Sequence, residues 1–153
     1  MMTLRPSLLP ASVHRRYAAL PLCQDWSRRE IAALDSVSDL VEFEPGDVIL
    51  SQGPGRPEVV ILTAGCARLV DLSTGSRLRR VEVGELVGHE AVLAATSQPH
   101  SLLATGYAAV LSIQPREFRS LAQTHRGLKL ALTRPDACTG TVAIAATARL
   151  AKA

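Results

Sequence analysis

The sequence has few aromatic residues. Tyr17, Trp26, Phe43, Tyr107 and Phe118 are all of them, 3% of the 153 residues. The core must therefore be aliphatic, and a surface that stacks bases on an aromatic platform is excluded. Cysteine is scarce too: Cys23, Cys66 and Cys138 lie far apart, with no pair at Cys-x-x-Cys spacing. Three distant thiols make no disulfide framework and point to a reduced, cytoplasmic protein. The four histidines, His14, His89, His100 and His125, include no His-x-His pair, and two of them lie outside the strand-like region described next. That is too few for a metal site with three or four ligands. No nucleophile sits at a telling distance from a base, so no enzyme is expected. There is no apolar run of about 18 residues and hence no membrane-spanning helix. Pro6 and Pro10 break the start of the chain, which does not read as a signal peptide.

What is present is ample apolar material, 47% of the residues, with 20% charged. This is enough for one globular domain and unlike a disordered chain. The net charge of +3 is unevenly placed: residues 1–37 carry +2, residues 38–125 carry −3 and residues 126–153 carry +4. A nucleic-acid-binding body would need the reverse, a basic folded centre.

Ser27-Arg28-Arg29-Glu30 has the form of a capping box. Trp26 and Ile31 stand where a hydrophobic staple belongs, so a helix is predicted over 27–37. From Asp39 to Ile113 short runs rich in Val, Ile and Leu alternate with Gly and Pro punctuation. Turns are predicted at Glu44-Pro45-Gly46-Asp47, Gln52-Gly53-Pro54-Gly55, Gly65, Ser73-Thr74-Gly75-Ser76 and Gly84. About eight short strands follow from this pattern. Helices resume at Pro115, a first-turn proline, and over about 125–133, where Leu128, Leu130 and Leu132 lie among basic residues. The plan is α+β: an antiparallel β-roll of the double-stranded, jelly-roll-like kind, flanked by N- and C-terminal helices. The predicted divisions are an extension over 1–19, the domain over 20–134, and an Ala-rich tail over 135–153. With one small core to enter, Val142, Ile144, Leu150, Leu128 and Leu132 are expected partly at a homodimer contact, the tail forming a dimer helix.

The glycines carry a resemblance. Leu20-Pro21-Leu22-Cys23 precedes the first helix. Then come Phe43-Glu44-Pro45-Gly46-Asp47-Val48-Ile49-Leu50, Gln52-Gly53, Val60-Ile61-Leu62, Gly65 twelve residues after Gly53, and Gly84-Glu85-Leu86-Val87-Gly88. This series resembles the cyclic nucleotide-binding domain of the catabolite activator (Crp/Fnr-like) type over roughly residues 20–130. The resemblance implies a regulatory, non-enzymatic module binding cyclic AMP or cyclic GMP. It also implies a phosphate-binding cassette after Gly88, a short helix and a strand joined by a turn. In that family backbone amides at the helix start meet the cyclic phosphate, a Glu after the Gly holds the ribose, and an Arg about ten residues on pairs with the phosphate.

Carried onto this chain, the resemblance makes Gly88, His89, Glu90, Ala91, His100 and Ser101 the candidate ligand-binding residues. Two departures stand out. His89 follows Gly88 where the family has Glu. Either His89 is an insertion and Glu90 holds the ribose, ten residues before His100, or His89 itself takes that place. The phosphate Arg is replaced by His100. An Arg is always charged and forked, whereas a His near neutrality is charged only part of the time. Losing such a contact costs ~2–4 kcal/mol, and what binding remains should be stronger near about pH 6 than near about pH 8. The implied function is a sensor with weak or altered ligand binding; the alternative is the same fold with a dead pocket, used for dimerisation or docking. The family's regulators carry a DNA-binding helix-turn-helix of roughly 60–70 residues after the dimer helix. Only 18 residues remain from Asp136, so no DNA binding is expected of this chain alone.

Overall fold

The computed structural model describes residues 17, 20–55 and 57–133. A short 3-10 turn, Pro21–Cys23, leads into helix α1, Arg28–Val37. The capping box is formed as the sequence requires. The Ser27 hydroxyl accepts from the Glu30 amide at 3.2 Å, and Glu30 Oε1 accepts from the Ser27 amide at 3.1 Å. The chain then passes directly into strand β1, Ser38–Phe43, followed by β2, Val48–Leu50, β3, Val59–Asp71, β4, Ser76–Val81, and β5, Leu86–Val87. Helix α2, His89–Ala94, precedes the last strand β6, Ser101–Ile113, and helices α3, Pro115–Thr124, and α4, Arg126–Thr133, complete the described chain.

All pairings are antiparallel, in the order β1-β6-β3-β4, with β2 on β6 and β5 on β3. The result is the α+β roll with flanking helices. It has six described strands rather than about eight, because β3 and β6 each span thirteen residues. The Gly65 punctuation does not end β3. Register shifts fall between Leu62 and Ala64 and between Gly65 and Ala67, so the strand bends there and continues into the other half of the roll. At the other end of the strand pattern, β4 stops at Val81, and Val83 is exposed in the following turn.

The first half of β3 is apolar on both faces because each face meets a core. Val59 and Ile61 pack with Leu111, Ile113, Phe118 and Leu128 beneath the helices. Val60 and Leu62 pack inward with Leu50, Leu69, Leu102 and Val110 inside the roll. Leu128 corrects one expectation: it is 1% exposed within this chain's own core, and Leu132 packs against that core. Both were expected at a homodimer contact. Helical spacing turns Leu128 and Ala131 inward and leaves Leu130 exposed. Val142, Ile144 and Leu150, and with them the dimer-helix expectation for the tail, lie outside the described residues.

Helix α4 is tied to α1. His125 Nδ1 accepts from the Leu128 amide at 2.9 Å. The ring proton therefore sits on Nε2, which donates to the Glu30 carbonyl at 2.8 Å. Gly127 donates to Glu30 Oε2, and a Cβ at Gly127 would stand 2.6 Å from Trp26 Nε1. Close approach, not a turn, explains that glycine.

Candidate functional site

The segment after β5 forms a compact turn–helix–turn. Gly88 has φ +92°, and a Cβ there would overlap the Glu58 carbonyl oxygen. Only glycine lets the chain turn so tightly against its neighbour. Helix α2 then runs six residues and ends at Ala95, which takes a left-handed conformation. Gln98 closes the turn: its carbonyl accepts from the Gly53 amide at 2.8 Å, and the two residues form an isolated bridge. Ser101 opens β6.

The six candidate residues are brought into this one segment, with differing surroundings. His89 follows Gly88 directly and is 6% exposed; Glu90 faces solvent and Ala91 is buried. The inward position of the first turn thus belongs to the imidazole and not to the carboxylate. His89 Nδ1 has no hydrogen-bond partner among the described residues. Burial lowers its pKa below the ordinary value, against a smaller upward pull from Glu90.

Ser101 is fully buried, and its hydroxyl accepts from the Gln52 amide at 2.9 Å. The Gln52 side chain donates to Asp71 Oδ1 at 3.2 Å and accepts from the Leu72 amide at 2.7 Å. This chain of contacts clamps the end of β2 to the β3–β4 turn. Asp71 is held down at about 2, first by the Ser73 hydroxyl, then by Gln52, with a smaller contribution from the charge of nearby His100. His100 therefore sits half-buried within electrostatic reach of a carboxylate.

Two neighbouring contacts escaped the sequence reading. Arg79 meets Glu85 in a two-pronged ion pair at 2.6 and 3.2 Å, and Glu85 also accepts from the Glu82 amide. The acid of the Gly84-Glu85 motif is thus a latch on the turn before β5. Arg119, on α3, donates from Nε to the Val92 carbonyl at 3.1 Å. A contact spanning 27 residues between a loop-like helix and a surface arginine leaves no spacing signal in the sequence.

The described surface carries clefts at two places of interest. One, about 310 Å³, is lined by residues of the 3-10 turn, α1 and α4, including Trp26 and Arg126. The other, about 330 Å³, lies between Ser51, Gly53, Pro54, Gly55 and Pro57, the 95–98 turn and Arg119. Neither is lined by any of the six candidate residues. Among the described residues no cluster of three His, Cys, Asp or Glu side chains could hold a metal, and no helix is long and apolar enough to cross a membrane.

The family model described as "Cyclic nucleotide-binding domain" matches residues 40–125, more than half of the chain. The chain belongs to the cyclic nucleotide-binding domain family. No curated protein matches the sequence. Solved structures share the fold at low identity. The regulatory subunit of a cAMP-independent protein kinase A from Trypanosoma brucei is 20% identical with a TM-score of 0.69, covering 81% of this chain and 46% of its own. The sensor domain of the transcriptional regulator DNR from Pseudomonas aeruginosa is 18% identical with a TM-score of 0.64, covering 77% and 86%. A cyclic nucleotide-binding-like protein from Brucella abortus is 18% identical with a TM-score of 0.58, covering 73% and 98%. The chain thus spans just under half of the kinase regulatory subunit it matches. The segment from Gly88 to Ser101 lies within the matched residues.

The buried imidazole in that segment has a consequence for stability. Because the folded state disfavours the protonated His89, the unfolded chain takes up the proton first. Its contribution to stability is full above the ordinary value of 6.5 and is lost as pH falls through it toward the lower folded value. The loss is at most about 1.4 kcal/mol per pH unit within that window. Asp71 acts in a separate window, between its ordinary 3.8 and about 2. Thermal unfolding followed from pH 8 to pH 5 should show a falling midpoint, and His89→Leu should flatten the slope. An unchanged slope in that variant would remove His89 as its cause.

Proposed function

We propose that this chain is the sensor module of a cytoplasmic regulatory system, a cyclic nucleotide-binding domain whose cassette binds its ligand weakly or in altered form. The observation that carries this reading is His89, buried directly after Gly88 with no hydrogen-bond partner at Nδ1 among the described residues. In the proposed register His100, a group without a permanent charge, takes the place of the family's phosphate arginine, and Asp71 within its electrostatic reach disfavours an incoming phosphate. The inward place after Gly88 is held by His89, a base whose burial favours its neutral form, where the family uses a carboxylate toward the ribose. Catalysis is not part of the proposal. The module passes its state to a protein, a second copy or an effector; sedimentation of the full chain at tens of micromolar distinguishes a self-associating module from a monomeric one.

Calorimetric titration with cyclic AMP and cyclic GMP tests the reading. Dissociation constants of about 100 µM or weaker are expected, since ~2–4 kcal/mol of a tight site's affinity is missing. Low-micromolar binding would overturn the claim of a degenerate cassette. A second reading, a ligand-free docking module, draws support from the filled interior of the roll, where Leu50, Leu69 and Leu102 are nearly inaccessible. It takes precedence if neither nucleotide binds at millimolar concentration.

A further inference from the structure

The sheet ends in two strands that are built differently. Its order runs β1-β6-β3-β4, so among the described residues β1 and β4 each pair on one side only. An open edge presents unmade backbone hydrogen bonds to any other strand, and proteins blunt such edges with cationic side chains, prolines and bulges. β4 is blunted. It carries Arg77, Arg79 and Arg80, and its register on β3 shifts between Leu69 and Val70. β1 has none of these devices. It pairs with β6 without a shift from Ser38 to Phe43, and it holds no proline, lysine or arginine.

Two apolar rows cross the sheet and stop at β1. One passes from Ile61 on β3 through Leu111 on β6 to Leu40, and the other from Leu62 through Val110 to Val41. The inner members of both rows are 2% exposed or less, whereas Leu40 is 47% and Val41 36% exposed. Successive strand residues point to opposite sides, so β1 shows an apolar side chain on each face. Beyond the ladder with β6, no backbone group from Asp39 to Phe43 has a hydrogen bond among the described residues. A further strand would satisfy these groups and continue the sheet past both rows.

We propose that this strand is β1 of a second copy of the chain, paired antiparallel across a two-fold axis at Leu40 or Val41. Every copy brings the same open edge, so the contact is self-complementary and closes as a dimer. The charges permit it. The two-fold axis is normal to the sheet and keeps its faces, so only residues of one face stand opposite each other. Asp39 and Glu42 lie on different faces. With the axis at either central residue, neither carboxylate stands directly opposite a carboxylate, the arrangement that would destabilise the pair. The Tyr107 hydroxyl also donates to Glu42 at 2.9 Å and holds that carboxylate against β6. The contact supplies the second copy named in the proposed signalling and rests on that branch of it, but not on nucleotide binding.

Sedimentation velocity of the full chain from about 1 to about 200 µM tests the contact. A monomer–dimer equilibrium is expected, with a dissociation constant of about 10–100 µM, because two short edges bury little surface. Leu40→Lys combined with Val41→Lys puts a charge on each exposed position and should weaken association at least about tenfold, with an unchanged unfolding midpoint. Leu40→Cys and Val41→Cys test the geometry with milder changes. Under mild oxidation at least one of them should form a covalent dimer. Wild type and Leu72→Cys, whose thiol is exposed in the β3–β4 turn, should form far less. The proposal is overturned by a monomer at about 200 µM, or by a dimer that the lysine variant leaves equally strong. Growth beyond a dimer also overturns it, since that marks an open series of β1-to-β4 contacts. So does cross-linking at positions 40 and 41 no greater than at 72. None of these measurements contains a nucleotide, so failure here is separate from failure of the cassette reading.

Discussion

Gly65→Ala is expected to destabilise the fold by about 3–5 kcal/mol, a large part of the ~5–15 kcal/mol available to a domain of this size. Gly65 lies mid-strand in β3 with φ +88°. An alanine there pays about 1–2 kcal/mol for the left-handed conformation. The second cost is larger. A Cβ would overlap the Tyr107 carbonyl oxygen and stand 2.7 Å from its carbon and 2.8 Å from Ala108 Cα. These are backbone atoms of β6, which β3 pairs on both sides of the bend, so no side chain can rotate out of the way. Displacing the strand adds the ~1–3 kcal/mol typical of overpacking. Gly75→Ala is the control. It also has positive φ, at +73°, but a Cβ there meets nothing within 4 Å, so a loss near 1 kcal/mol is expected. Urea unfolding of the two variants checks the contrast. Equal midpoints would show that the bend at Gly65 tolerates a side chain and that close strand approach is not what selects glycine.

The same residue shows what a sequence can and cannot reveal about this fold. Gly65 was legible as a special position, because glycines recur between apolar runs. It was not legible as a bulge inside one strand, because punctuation in sequence looks alike whether the chain reverses or only bends. Merging the runs on either side into β3, together with the equally long β6, turns an expected count of about eight strands into six. The capping box was fully legible since its partners are three residues apart. Leu128 was not, because alternate leucines in a short helix do not say which side faces the core. That depends on Trp26 and Glu30, about a hundred residues away in sequence and in contact through Gly127 and His125. Around the cassette the pattern is similar. Gly88 announced itself, whereas the choice between His89 and Glu90 as the inward residue needed the helix phase. The Ser101–Gln52–Asp71 clamp and the Arg119–Val92 contact join distant segments and have no local signature.

His100→Arg combined with Asp71→Asn is expected to give the largest functional change. In the proposed register, the substitution at position 100 alone places a permanent, forked cation where the family pairs the cyclic phosphate. Its full value is ~2–4 kcal/mol, or about 30- to 1000-fold in affinity. In this chain Asp71 competes for that cation, since its carboxylate is ionised and already within the electrostatic reach of His100. The single variant should therefore gain only part of the effect, about tenfold for cyclic AMP. Asp71→Asn removes the competitor while keeping an Oδ1 that can accept from Ser73 and Gln52, the hydrogen bonds that hold the β3–β4 turn. The double variant should recover the full range, and the two substitutions should couple by more than their separate effects because both act on one charge pair. Calorimetry on the wild type, both single variants and the double variant closes the cycle. Strict additivity would mean that Asp71 does not oppose the phosphate. If the double variant binds neither cyclic nucleotide at millimolar concentration, a missing charge is not what limits this cassette. The packed interior behind Gly88, with Leu50 3.3 Å from the glycine's Cβ position, would then be the barrier, and the docking-module reading would replace the sensor.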